Sequence, residues 1–132
     1  MVIDTSAVLA ILLGESEAAA FAEAIESAER CCMAAASYVE AAAVIDCRGD
    51  AVASREFDRF MRRGAIEVEP LTFEQAQIAR EAYRDFGKGR HPAGLNFGDC
   101  LAYALAKSRD EPLLFKGRDF GLTDVAVAED MK

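Results

Sequence analysis

Short apolar runs and longer stretches of helical spacing alternate along this chain. Val2-Ile3, Cys31-Cys32-Met33-Ala34, Ile66-Glu67-Val68 and Leu113-Leu114-Phe115 are brief and apolar or strictly alternating, which predicts strands, and Asp124-Val125-Ala126-Val127 reads as a last short one. Residues 6–13 predict a helix stopped by Gly14, and Ser16 opens a second to about Ala28 that turns Ala20, Phe21, Ala24, Ile25 and Ala28 inward. A third is predicted from Ser37 to about Cys47, with Val39, Ala42, Ala43, Val44 and Ile45 in the core. A fourth covers residues 51–63 on the anchors Val52, Phe57, Phe60 and Met61. Thr72 opens a fifth to Phe86 with Ala76, Ala79, Ala82 and Tyr83 inward, and Asn96 a sixth to about Lys107 that buries Leu101, Ala104 and Leu105. Pro70 places the third strand near a sheet edge, and the Gly-rich, basic stretch 87–95 reads as a mobile loop. Strands alternating with helices predict an α/β fold, a three-layer α/β/α sandwich around a central, mainly parallel sheet, with residues 1–132 as one domain.

In that topology one rim of the sheet collects the carboxyl ends of the strands and the amino ends of the returning helices, where open α/β folds place their sites. Four acids are expected there: Asp4 after the first strand, Glu40 in the first turn after the second, Asp99 in the first turn of the sixth helix, and Asp119 after the fourth strand. Each has a local alternative. Asp4, Thr5 or Ser6 caps the helix that follows; Ser37-Tyr38-Val39-Glu40 and Asn96-Phe97-Gly98-Asp99 have capping-box spacing, although Asp is a methylene short for the reach back; and Asp119 has Arg118 and Lys116 as ion-pair partners. Together, four carboxylates in one cleft repel and raise one another's pKa unless a cation neutralises them. Oxygen ligands without His or Cys suit Mg²⁺ or Mn²⁺, and such an ion supports phosphodiester hydrolysis.

Charge and composition narrow the function classes. The net charge of −8 argues against broad, non-specific nucleic-acid binding, but residues 46–91 carry nine bases against nine acids, so a local basic surface remains available, as a solvated helix face or as one side of a phosphate groove. An apolar share of 52 % excludes a disordered chain. No run approaches the ~20 apolar residues of a membrane span, and residues 7–13 fit neither signal peptide nor anchor, which predicts a cytoplasmic protein with no membrane partner. Cys31, Cys32, Cys47 and Cys100 lack metal-binding spacing and are expected as buried thiols, and His91 as a loop residue.

The motifs Val2-Ile3-Asp4-Thr5-Ser6-Ala7, Ser37-Tyr38-Val39-Glu40, Leu95-Asn96-Phe97-Gly98-Asp99-Cys100 and Leu114-Phe115-Lys116-Gly117-Arg118-Asp119-Phe120, in this order and spacing, resemble those of PIN-domain ribonucleases, in particular the VapC toxins of bacterial toxin–antitoxin pairs. The resemblance spans nearly the whole chain and implies a PIN-like sandwich, Mg²⁺-dependent cleavage of RNA, an antitoxin partner that blocks the site, and a homodimer. It implies that Asp4 and Asp99 are the principal metal ligands, that Glu40 holds the metal or its water, that Asp119 is the fourth acid, and that Ser6 and Asn96 orient the ligands. Many relatives carry Asn or Asp where this chain has Arg118, which sets the fourth acid apart. Two other readings stay open: a non-catalytic PIN-like scaffold that binds RNA or protein, and a phosphoaspartyl phosphatase-type enzyme, against which Ser6 stands where that class has a second Asp.

Overall fold

The computed structural model describes residues 1–128. Its centre is a parallel sheet of four strands in the order β3-β2-β1-β4, formed by β1 (Val2–Ile3), β2 (Cys32–Ala34), β3 (Glu67–Glu69) and β4 (Leu113–Leu114). Val2 lies opposite both Cys32 and Leu113. Six α-helices surround the sheet: α1 (Thr5–Leu12), α2 (Ala18–Ser27), α3 (Ala35–Asp46), α4 (Ala51–Arg63), α5 (Phe73–Phe86) and α6 (Phe97–Arg109).

Side chains alternate across a strand, and here the alternation divides the core in two. Val2, Cys32, Ala34 and Leu113 join one apolar cluster, with Ala79 and Ala82 of α5 and residues 100–106 of α6. Ile3, Met33 and Leu114 join the other, with Val8 of α1, Phe21 and Ile25 of α2, Ile45 of α3 and Phe57 of α4. The sheet is thus covered on both faces, as the alternation of elements requires. From Cys100 to Ala106 every residue of α6 is buried, because this stretch is apolar all round and has no face to give to water.

Several local expectations are corrected. Helix α3 begins at Ala35, directly from the extended Ala34, with no side-chain cap; Ala35 and Ala36 are strong helix formers that extend the helix toward the strand. Its buried stripe is Ser37, Ala41 and Ile45, so Val39 and Val44 face water. Where a helix is apolar on most sides, periodicity cannot choose the buried face. Ala20, Ala43, Val52 and Tyr83 are likewise exposed, and Cys47 lies on the surface just beyond α3 while the other three cysteines are buried. The last strand reduces to a single bridge from Val127 to Leu113. The loop 87–95 folds back on itself: the Lys88 amide donates to Leu95 O at 2.9 Å and the Leu95 amide to Phe86 O at 3.0 Å. His91 has a structural task there, since its Nδ1 accepts from the Ala93 amide at 3.0 Å.

Candidate metal centre

Asp4 is where β1 turns into α1. Its amide completes the sheet by donating to Leu114 O at 2.9 Å, and its side chain caps α1. The Ser6 amide and the Ser6 hydroxyl both donate to Asp4 Oδ2, at 3.0 and 2.6 Å, which leaves Oδ1 for another partner. Capping and ligation therefore do not compete for the same oxygen. The Ser6 hydroxyl also accepts from the Lys116 amide at 2.9 Å, tying the segment after β4 to the Asp4 carboxylate across 110 residues of sequence.

Asp99 stands in the first turn of α6, and the capping box forms in full. Asn96 Oδ1 accepts from the Asp99 amide at 2.8 Å, and Asp99 Oδ2 accepts from the Asn96 amide at 3.0 Å. The shorter reach of Asp does not prevent closure. The Ser37–Glu40 box does not form. With α3 starting at Ala35, Glu40 lies beyond the first turn and caps nothing. Its Oε1 accepts instead from the Thr5 hydroxyl at 3.2 Å, a hydroxyl also directed at Ser37 O at 3.1 Å.

The Glu40 carboxylate rests against the first turn of α6 at Gly98. A Cβ at that position would lie 2.7 Å from Oε1 and 2.8 Å from Cδ, and nearer still to Oε2. Only glycine gives the carboxylate that place. Asp119 is exposed, just before the 3₁₀ turn Phe120–Leu122. Lys116 turns away from it to Glu15, at 3.0 Å, and no ion pair joins Asp119 to Arg118.

Electrostatics ties the acids together. Burial, with the charges of Asp99 and Glu40 adding to it, pushes Asp4 up to about 6 against the two Ser6 bonds. Glu40 is raised by burial and then by Asp99, and Asp99 by burial and then by Asp119. The coupled set is Asp4, Glu40, Asp99 and Asp119, from four separate segments of the chain. Thr5 and Gly98 join it without having been singled out from the sequence; a glycine in the first turn of a helix was the available signal for Gly98.

The donor set fits a hard divalent cation, with carboxylates alone and at least one oxygen of Asp4 and of Asp99 outside the caps. Among the described residues no three acids, histidines or cysteines are drawn together tightly enough to enclose an ion by themselves. An ion such as Mg²⁺ held by these residues would keep several waters among its ligands. Ser6→Ala removes the hydroxyl bond to Asp4 Oδ2 and keeps the amide bond; for Asp4 as a ligand, titration calorimetry with Mg²⁺ or Mn²⁺ is expected to show an affinity about 10- to 100-fold lower than the parent's. An unchanged affinity would contradict the role given to Ser6.

A parallel sheet covered on both faces, with coupled acids at its carboxyl rim, defines the class. Residues 1–126 match the family model "PIN domain", and the chain belongs to that family. Within it, the chain groups with the VapC ribonucleases: it is 53 % identical to Ribonuclease VapC28 of Mycobacterium tuberculosis (strain ATCC 25618 / H37Rv) over the full length of both chains. Solved structures share the fold. VapC20 of Mycobacterium tuberculosis, described as a sarcin-ricin loop cleaving toxin, superposes with a TM-score of 0.74 at 14 % identity, covering 95 % of each chain. VapBC2 from Rickettsia felis, bound to a promoter DNA fragment, gives 0.73 at 14 % identity, over 96 % of this chain and 95 % of that one.

Proposed function

We propose that this protein is a Mg²⁺-dependent endoribonuclease, the toxin of a toxin–antitoxin pair, acting on RNA phosphodiester bonds in the cytoplasm. The observation that carries the reading is the coupling of Asp4, Glu40, Asp99 and Asp119, brought from four segments with no His or Cys among them. Full-length identity to VapC ribonucleases supports it. Asp4 and Asp99 would hold the ion, Asp119 would add negative charge beside Asp99, and Ser6 and Asn96 would fix the ligand oxygens. When bound, the ion supplies Lewis acidity toward a phosphate oxygen and a lower pKa for a bound water. Mn²⁺ satisfies the same donors.

Thr5 occupies Oε1 of Glu40, so Oε2 is the oxygen left to orient the attacking water and accept its proton. A carboxyl raised above its ordinary value is the stronger base for that transfer. Asp4, buried beside the other acids, contributes charge rather than proton transfer. In-line attack on phosphorus breaks the bond to the opposite ribose oxygen. That oxygen takes a proton from solvent water and leaves as a hydroxyl, while the attacking oxygen stays on phosphorus as part of a phosphate monoester.

The partner in this reading is an antitoxin. A groove of ≈ 910 Å³ between α1, α2 and α4, lined by Ile11, Leu12, Ile25 and Phe60 together with the charged Glu26, Glu29, Glu56, Arg59 and Arg63, offers it a mixed apolar and charged seat. Val39 and Phe97, the residues before Glu40 and Gly98 in the chain, are both exposed, and apolar surface next to the site favours a homodimer.

The caps made by Asp4 and Asp99 would serve a non-catalytic scaffold as well, whereas Glu40 caps nothing. Glu40→Gln therefore separates the two readings. It is expected to melt at or above the parent's temperature at neutral pH, since Gln brings no charge to bury, and on induction in cells to yield none of the new RNA ends that the parent produces. RNA ends equal to the parent's would remove Glu40 from the chemistry.

A further inference from the structure

A second feature lies outside the acid cluster. Gln77, Arg80, Glu81 and Arg84 occupy one face of α5, at helical spacing, and with Arg90 of the loop 87–95 they line a cleft of ≈ 550 Å³. Three guanidinium groups against one carboxylate is a local excess of positive charge on a chain whose net charge is −8. Arg80 and Arg90 make no ion pair with any described residue. Arg84 gives its Nε to Asp85 at 3.1 Å, which leaves its two terminal nitrogens free to donate. Asp85 and Glu81 offset part of this charge, and the remainder held together costs free energy unless an anion neutralises it.

The loop that carries Arg90 is well tied. The amides of Arg90 and His91 both donate to Gly87 O, at 3.0 and 3.1 Å, and Gly89 takes the positive φ of +85° that the turn requires. The His91 ring packs edge-on against Phe86 at 5.1 Å. Arg90 is thus presented to α5 by a braced turn. The same loop ends at Leu95, fully buried and bonded to Phe86 and Lys88, directly before Asn96 and the Asp99 turn. Asn96 is six steps along the chain from Arg90, with five residues between, so their Cα atoms are at most about 21 Å apart. At the ~3.4 Å per nucleotide of a stacked strand, about six nucleotides cover that distance.

We propose that the Arg80–Arg84–Arg90 cleft is a phosphate-binding subsite for the RNA strand flanking the scissile bond, resting on the nuclease reading above. Guanidinium groups recognise phosphate in a bidentate way, and Gln77 adds a neutral donor. Such contacts supply affinity and register rather than base identity. They let an acidic protein hold RNA without a generally basic surface.

The test compares two triple variants that lose the same charge. Arg80→Gln/Arg84→Gln/Arg90→Gln empties the cleft; Arg48→Gln/Arg55→Gln/Arg62→Gln removes three exposed arginines from the α3–α4 region. Binding to mixed-sequence single-stranded RNA is followed by fluorescence anisotropy in EDTA, where no cleavage occurs, over a range of salt. Circular dichroism checks that each variant is folded. For the cleft triple the slope of log affinity against log salt is expected to fall by about 2, since each single-strand phosphate contact contributes roughly 0.7. The control triple keeps the parent's slope. Equal slopes in all three proteins, or an equal fall in both triples, would overturn the subsite. Cleavage of cellular RNA by the parent in Mg²⁺ is measured in parallel. If the parent cuts while the slopes are equal, the subsite alone is lost; if it cuts no RNA, the nuclease reading falls and the subsite with it.

Discussion

Asp4→Asn gives a protein that is no less stable than the parent at neutral pH in the absence of metal, yet cuts RNA about 10³-fold more slowly or not at all. The first half follows from burial. Asp4 is 5 % exposed, and its carboxyl is pushed up to about 6 in the fold from an ordinary value of 3.8. Between those two values the folded chain holds a proton that the unfolded chain releases. The stability from this group is therefore complete below pH 3.8 and is lost as pH rises through 6, a difference of about 3 kcal/mol. Glu40 and Asp99, also raised, act in the same direction. Urea melts in EDTA are expected to show the parent gaining stability as pH falls from 7 toward 5, and Asp4→Asn losing the larger part of that gain. A parent that loses stability steadily over the same interval would contradict the assignment. The second half follows from charge: Asn keeps an oxygen for the Ser6 bonds but brings no anion to a cation. Saturating Mg²⁺ at neutral pH accordingly raises the parent's melting temperature by mass action and leaves that of D4N in place.

Gly98→Ala separates stability from function in the opposite way to most substitutions. Alanine in a helix is favoured over glycine by roughly 0.5–1 kcal/mol, so α6 gains. The added methyl, however, occupies the space of the Glu40 carboxylate, whose Oε1 and Cδ lie 2.7 and 2.8 Å from the Cβ position. The carboxylate is the movable partner. It swings away, and the Thr5 bond to Oε1 is lost with it. A displacement of about 1 Å in a positioned catalytic group costs on the order of 10²-fold in rate. The expected result is a variant that melts at or above the parent's temperature and cleaves RNA about 10²-fold more slowly. Parent-like cleavage by a folded G98A would show that Glu40 has no need of its place beside α6.

The elements legible in the sequence were those whose signal lies within a few residues. Asn96 and Asp99 are three apart, and their box formed as the spacing implied. Thr72 capped α5, and Gly64 ended α4, at the positions read from the chain. Four strands were found because short β-branched or apolar runs stand between helical stretches. Their parallel order follows from helices intervening between them. The failure at α3 has a plain cause. Around α3 the chain is rich in Ala and Val on every side, so neither its start nor its buried face is written in local spacing, and the apparent Ser37–Glu40 box proved to be a coincidence of residue types.

What the sequence by itself determined is the inventory: a two-faced parallel sheet, acids at the ends of its strands, and no soft ligand to accompany them. The local partners, Ser6 for Asp4 and Asn96 for Asp99, lie within three residues of their acids; the long-range ones were decided by tertiary structure alone. Thr5 meets Glu40 across 35 residues, Ser6 meets Lys116 across 110, and Gly98 opens its helix to a carboxylate from α3. Such contacts depend on how helices dock on the sheet, which is governed by the packing of the two cores. No period or spacing along the chain encodes that distance.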